Sequence, residues 1–207
     1  MAASLNFAAF SPTTYADVLG RSPVMSLGIR EMWPGIPRLA GPAFTVQCPP
    51  GDNLMLHAAI YRAAPGDVIV VQAGDVEYAL SGGNVCAIAQ QRGIAGFVAD
   101  GVIRDVAEVR EAQFPVFARG VVPIPGKKQT LGTLNQPIIC GGVAVSPRDI
   151  VVADEEGIVV IPAAQQQTVW EQAQQKSDRE ANQTLAEWEA NHHAKIEGIL
   201  KDLGFQP

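Results

Sequence analysis

The sequence predicts an α/β fold, a β core with helices packed against it, on three observations. Between residues 43 and 118, strand-like and helix-like segments alternate, the pattern of layered α/β architecture. Residues 137–162 hold short β-branched runs separated by Gly141-Gly142, Ser146-Pro147-Arg148-Asp149 and Glu155-Glu156-Gly157, which predicts a compact β-rich second half. From Ala163 the chain becomes rich in Gln, Glu, Ala and Lys, with no glycine before Gly198, which predicts one or two long helices. The chain thus divides into an N-terminal helix and connection (1–40), a core (41–162) and a C-terminal helical extension (163–207).

The first element is a short capped helix over 11–20, with Ser11 as N-cap, Pro12 at the first helical position and Gly20 as the stop. Residues 21–40, rich in Pro, Gly and Arg, predict an irregular connection into a strand at Ala43–Cys48. Pro49-Pro50-Gly51-Asp52-Asn53 punctuates. Leu54 to Ala64 then has Leu54, His57, Ala58 and Tyr61 at helical spacing, which makes His57 a packed core residue. Pro65-Gly66-Asp67 turns into the β-branched run Val68–Gln72, a buried strand. Residues 84–92 form a helix, Ile94–Ala99 a strand, Val106–Gln113 a helix with Val106, Val109 and Ala112 on one face, and Phe114–Ala118 a strand. In the loop that follows, Lys127-Lys128 reads as a solvated turn. In the tail, Leu185, Trp188, His192, Ile196, Ile199, Leu200 and Leu203 form an apolar stripe that could pack on its own domain or on another subunit, and His192-His193 reads as solvated, because adjacent helix positions point apart.

A chain of 207 residues fits one domain, and such a domain buries roughly 70% of its unfolded surface. The 47% hydrophobic and 17% charged content is that of a globular protein. A net charge of −6 without a basic run argues against nucleic acid as partner. Cys48, Cys86 and Cys140 lie far apart without CxxC spacing, so they read as buried reduced thiols. Met1–Phe10 lacks the basic region of a signal peptide, and no run approaches the ~20 apolar residues of a membrane span. A cytoplasmic protein without membrane contact is the expectation.

Chemistry concentrates between Gly82 and Asp105. Gly82-Gly83-Asn84-Val85 opens a helix whose first-turn amides lack intrahelical acceptors, a place for an anion. The strand after it ends in Arg104-Asp105, a cation for an oxyanion beside a hard oxygen ligand for a metal. Taken alone, Arg104-Asp105 reads equally as a surface ion pair and Gly82-Gly83 as a simple turn; Asp100 reads as a turn residue capping its own backbone.

The order and spacing of several segments are more specific than any one of them. Pro65-Gly66-Asp67-Val68-Ile69-Val70-Val71, Gly82-Gly83-Asn84-Val85, Arg92-Gly93-Ile94-Ala95-Gly96, Asp100-Gly101-Val102-Ile103-Arg104-Asp105, Phe114-Pro115-Val116-Phe117-Ala118-Arg119-Gly120 and Asp154-Glu155-Glu156-Gly157-Ile158-Val159-Val160 together resemble one family. It contains the regulator of ribonuclease activity A and the class II 4-hydroxy-4-methyl-2-oxoglutarate aldolases. The resemblance covers roughly residues 40–162. It implies a swivelling α/β-β sandwich core assembled as a homotrimer or homohexamer, with the site at a subunit boundary. It also implies that the backbone of Gly82, Gly83, Asn84 and Val85 binds a substrate carboxylate, that Arg104 binds the keto oxygen, and that Asp105 holds Mg²⁺ or Mn²⁺.

The implied activity is that of a divalent-metal-dependent lyase, an aldolase or oxaloacetate decarboxylase, acting on small 4-hydroxy-2-oxo acids through a pyruvate enolate. A metal and a guanidinium stabilise such an enolate electrostatically, and no Schiff-base lysine is required. The alternatives are a non-catalytic homologue that regulates a ribonuclease or another protein, and a related metal-dependent hydratase or lyase. One position departs from the family pattern: aldolases of this family often carry Asp or Glu where this chain has Gly83. The candidates to replace that acid are Glu77, Asp75, or Glu155 or Glu156 of a neighbouring subunit.

Overall fold

The computed structural model describes residues 5–206; the start of the apolar segment Met1–Phe10 lies outside them. The element order is α1 (Pro12–Leu19), β1 (Arg30–Glu31), β2 (Leu39–Gln47), α2 (Leu54–Ala59), β3 (Val68–Gln72), α3 (Gly83–Gln91), β4 (Gly96–Ile103), α4 (Val106–Glu111) and β5 (Val116–Val121). It continues with β6 (Thr133–Leu134), β7 (Ile138–Cys140), β8 (Val143–Val145), β9 (Ile150–Asp154), β10 (Gly157–Ile161), α5 (Gln166–Ala181) and α6 (Leu185–Asp202). The predicted α/β alternation and the β-rich second half are both present. Helix α1 has the predicted ends: Ser11 Oγ accepts from the Thr14 amide at 3.3 Å, and Gly20 leaves the helix at φ 77°.

Eight strands form one sheet in the order β1-β5-β4-β3-β2-β9-β10, with β6 paired to β2. Strand β2 belongs to two halves. Its residues Ala43–Gln47 run parallel to β3, whereas Leu39–Pro42 run antiparallel to β9. Pro42 sits at the last β9 pairing before the exchange, where its missing N–H leaves no gap in the parallel ladder. The connection expected to be irregular through residue 40 therefore ends earlier, because Leu39 and Ala40 already pair with Ala153 and Val152. Residues 23–31 link the two sheet edges: Val24 bridges Val159 of β10, while Arg30 and Glu31 pair with Ala118 and Phe117 of β5. The sheet is thereby nearly closed.

One core cluster fills the space between the sheet and α2, α3 and α4, with Val70, Val98, Phe97, Phe114 and Phe117 among its fully buried members. A second lies on the β9–β10 side, where Phe7, Phe10 and Tyr15 meet Val169 and Ala173 of α5. The C-terminal extension is two helices, separated at Thr184, which makes a reciprocal capping box with Glu187. Helix α5 packs on α1, with Lys176 Nζ 3.0 Å from Asp17. Helix α6 buries no residue: the predicted stripe exists, but Leu185, Trp188, Ile196, Ile199 and Leu203 of it are exposed. His192 is likewise exposed, its ring stacked 4.6 Å from that of Trp188.

Where β2 changes partner, the backbone of Gly41 lies directly against that of Gly66. A Cβ on Gly41 would overlap the Gly66 carbonyl oxygen and come within 3.2 Å of Val68 Cγ2. Gly41→Ala is therefore expected to lower stability by about 1–3 kcal/mol, the usual cost of overpacking. A urea denaturation midpoint equal to wild type would show that β2 can move away from Gly66 without cost.

Candidate active site

The parallel strands β3, β4 and β5 end on one edge of the sheet, where open α/β sheets place ligands. At that edge, residues 79–81 are held between the end of β4 and the loop after β5. Leu80 donates to the Val102 carbonyl at 2.9 Å and Arg104 to that of Ser81 at 2.9 Å, while Ala79 and Gly126 bond with Ile124 and Ala79 at 2.8 and 3.0 Å. These four backbone bonds carry the sequence-distant Gly82 to the side of Arg104 and Asp105. Gly82 has extended backbone, and its lack of a side chain matters for space: a Cβ there would overlap Asp105 Oδ2 and lie 3.0 Å from Arg104 Cγ.

Asp105 occupies the left-handed region at φ 56°, ψ 37°, which Asp tolerates better than most residues. This conformation turns its carboxylate back toward α3: Oδ2 accepts from the Gly83 amide at 3.1 Å and lies 3.3 Å from Arg104 Nε. The expectation that all of residues 82–85 present free amides is corrected here, because Asp105 takes the Gly83 donor. The amides of Asn84 and Val85 remain as first-turn donors without intrahelical acceptors.

A carboxylate from another element lies against Gly83. Glu108 follows Asp105 by three residues on α4, so the two share a helix face. Its carboxylate lies against Gly83: a Cβ on that glycine would overlap Oε2 and sit 2.9 Å from Cδ. Neither of the two acids expected from this chain, Asp75 and Glu77, is there. Asp75 accepts from the amides of Gly51, Glu77 and Tyr78, and Glu77 lines a separate depression with Tyr78 and Lys127. Glu155 and Glu156 of this chain stand at the β9–β10 turn and line a cavity with Arg30. The i, i+3 spacing from Asp105 was the sequence signal for Glu108.

Three further residues line the same small cavity of about 80 Å³: Asn53, His57 and Lys128. Asn53 is buried, its Nδ2 donates to the Ala79 carbonyl at 3.2 Å, and its Oδ1 has no partner among the described residues. His57 is half-buried at the cavity rather than packed in the core, because α2 stops at Ala59 and turns that face toward the loop after β5. Burial, and secondarily the Lys128 charge, pull its pKa down to about 4, so the imidazole is neutral at pH 7. Lys128 was read as part of a solvated turn; its side chain is exposed, yet it stands at the cavity mouth.

The thiol of Cys86, 3.3 Å from Ser81 Oγ, is pushed up to about 12, chiefly by burial, and is no nucleophile at neutral pH. All three cysteines are buried and free. Asp100 is structural, as expected, but by a different contact: it pairs with Arg119 and accepts from the Gly141 amide at 2.8 Å, tying β4 to the β7–β8 hairpin. The cavity thus brings Arg104, Asp105 and the first turn of α3 together with Asn53, His57 and Lys128, while Glu108 stands against Gly83 outside its lining. That arrangement can hold a small anion and stabilise charge on an oxygen near Arg104.

Comparison with known proteins places the fold in a family. The sequence profile of the RraA-like family, described as Aldolase/RraA, matches residues 13–160. A protein of Halalkalibacterium halodurans named "Putative 4-hydroxy-4-methyl-2-oxoglutarate aldolase" is 45% identical over 148 residues, 70% of each chain. The structure of Streptomyces coelicolor RraAS2, described as an unusual member of the RNase ES inhibitor RraA protein family, superposes with a TM-score of 0.74 at 31% identity, covering 84% of this chain and 92% of that one. The RNA-processing inhibitor RraA from Thermus thermophilis superposes with a TM-score of 0.68 at 27% identity, covering 74% and 93%. With its profile match spanning most of the core and its site built from that core, the chain belongs to the RraA-like family.

Proposed function

We propose that the protein is a divalent-metal-dependent lyase that cleaves small 4-hydroxy-2-oxo acids, or decarboxylates oxaloacetate, through a pyruvate enolate. The observation that carries this reading is the convergence of Arg104, Asp105 and Glu108 on the first turn of α3. The amides of Asn84 and Val85 receive the substrate carboxylate. Arg104 binds the adjacent keto oxygen, on which negative charge grows as the carbon–carbon bond breaks; a guanidinium held there lowers the barrier because it attracts that oxygen more strongly as charge develops.

Among the described residues no group of three or more His, Cys, Asp or Glu is placed to hold a metal. A hard cation bound by Asp105 would instead fill its remaining positions with water and substrate, which suits Mg²⁺ or Mn²⁺ better than zinc. Such an ion supplies Lewis-acid charge to the enolate oxygen. Glu108 is the nearby carboxylate positioned to accept hydrogen bonds from waters at Asp105. At the opposite end, Lys128 and the unpartnered Asn53 Oδ1 suit a distal carboxylate and a hydroxyl donor.

The same reading makes the protein a cytoplasmic homotrimer or homohexamer, supported by the exposed apolar face of α6. Among the described residues no helix is long and apolar enough to cross a membrane. A second reading, a non-catalytic regulator of a ribonuclease, is favoured by the inhibitor descriptions of the two structural neighbours. Stoichiometric ribonuclease binding unaffected by Arg104→Ala, together with no pyruvate release, would decide for it.

For the lyase, pyruvate release from 4-hydroxy-4-methyl-2-oxoglutarate and from oxaloacetate should require Mg²⁺ or Mn²⁺ and stop with EDTA. Arg104→Ala should lower kcat by roughly 10²–10³, the usual loss on removing one donor to a developing oxyanion. Turnover of both substrates unaffected by EDTA would refute the assignment. Glu108→Gln should raise the metal concentration for half-maximal activity by roughly 10–100-fold, the range seen when a carboxylate behind a metal site is removed. A titration superimposable on wild type would assign Glu108 to packing alone.

A further inference from the structure

We propose that Asp52 is a positioning residue: its buried carboxylate fixes the loop that presents Lys128 to the distal end of the active-site cavity. Asp52 does not line that cavity itself, but it joins the two segments that do. Its Oδ2 accepts from the amides of Gln129 at 2.6 Å and Thr130 at 2.9 Å, and its Oδ1 from the Leu54 amide at 2.8 Å. The side chain is 5% exposed, so these charge-assisted bonds are shielded from water. Three backbone bonds complete the clamp: Asn53 donates to Lys127 and Lys127 to Gly51, each at 2.8 Å, and Gly126 donates to Ala79 at 3.0 Å.

Lys128 is therefore the one residue between two clamped neighbours, Lys127 and Gln129. It has no salt bridge or side-chain hydrogen bond of its own among the described residues. It lines the cavity together with His57, whose pKa its charge helps to lower. A flexible ammonium on a free loop would lose most of its orienting value to conformational entropy. The same carboxylate also fixes Leu54, the first residue of α2, and so sets the wall that carries His57.

This inference rests on the lyase reading for its kinetic test and is independent of it for its structural one. Asp52→Asn keeps the shape but turns one acceptor into a donor. It should raise KM for oxaloacetate or 4-hydroxy-4-methyl-2-oxoglutarate by roughly 10–100-fold, as small displacements of a positioned group do, with kcat less affected. Added to Lys128→Ala, it should cost little more, because both changes act through one ammonium. Independent, multiplying effects of the two substitutions would overturn the proposal.

Trypsin cleavage after Lys127 and Lys128 in the folded protein gives a readout that needs no turnover: slow in wild type and accelerated in Asp52→Asn at unchanged global stability. Equal cleavage rates would also overturn it. If no 2-oxo acid is turned over but the cleavage rates diverge, the lyase reading fails while the clamp stands.

Discussion

The candidate site depends on one backbone conformation, that of Asp105 in the left-handed region between β4 and α4. A residue leaving the strand in the ordinary β region would send its side chain along the sheet edge. At φ 56° the carboxylate folds back over Gly82 and reaches the Gly83 amide, so that the carboxyl end of one strand and the amino end of the preceding helix share a hydrogen bond. Asp accepts this conformation at low cost among non-glycine residues, and it combines that tolerance with an oxygen ligand. Side chains then cover both glycines: Asp105 and Arg104 lie over the first, and Glu108 over the second.

A carboxylate at a helix amino terminus is favourable by itself, since the unsatisfied amides there carry partial positive charge. Asp105 gains that interaction through Oδ2, together with Arg104 at 3.3 Å. Arg104 and Asp105 are both partly exposed, with 41% and 35% of their side chains accessible, so their mutual attraction is screened and contributes little to stability. The pair is better understood as poised for a third charged group than as a fold-stabilising salt bridge. The polar contacts that stabilise this region are those of the buried Asp52 and the partly buried Asp75, which hold turns around the cavity without lining it.

Much of the fold was legible because local signals agreed with the layers. The Ser11 cap, the β-branched run at Val68–Gln72, the Gly141-Gly142 hairpin and the change of composition at Ala163 each survive in the structure. The two-sided use of β2 was not legible, because its antiparallel half pairs with a strand more than a hundred residues further along the chain. At the site, Arg104 and Asp105 were readable as neighbours in sequence. His57, Asn53 and Lys128 were not, since a loop crossing from residue 126 to residue 130 brings them together. Glu108 differs: its spacing of three residues from Asp105 is in the sequence, but its approach to Gly83 depends on how α4 packs beside α3.

Net charge sharpens the distinction between the site and the surface around it. A chain of net charge −6 repels small dianions on average, and a Debye length of about 8 Å at physiological salt limits that repulsion to the immediate surface. Inside the cavity the balance is different: the first turn of α3 at Asn84 and Val85, the guanidinium of Arg104 and Lys128 line it, against Asp105 alone. His57 adds no charge at neutral pH, because burial keeps it unprotonated. The charged groups lining the cavity are thus two cations against one carboxylate, so the lining favours an anion where the surface as a whole does not.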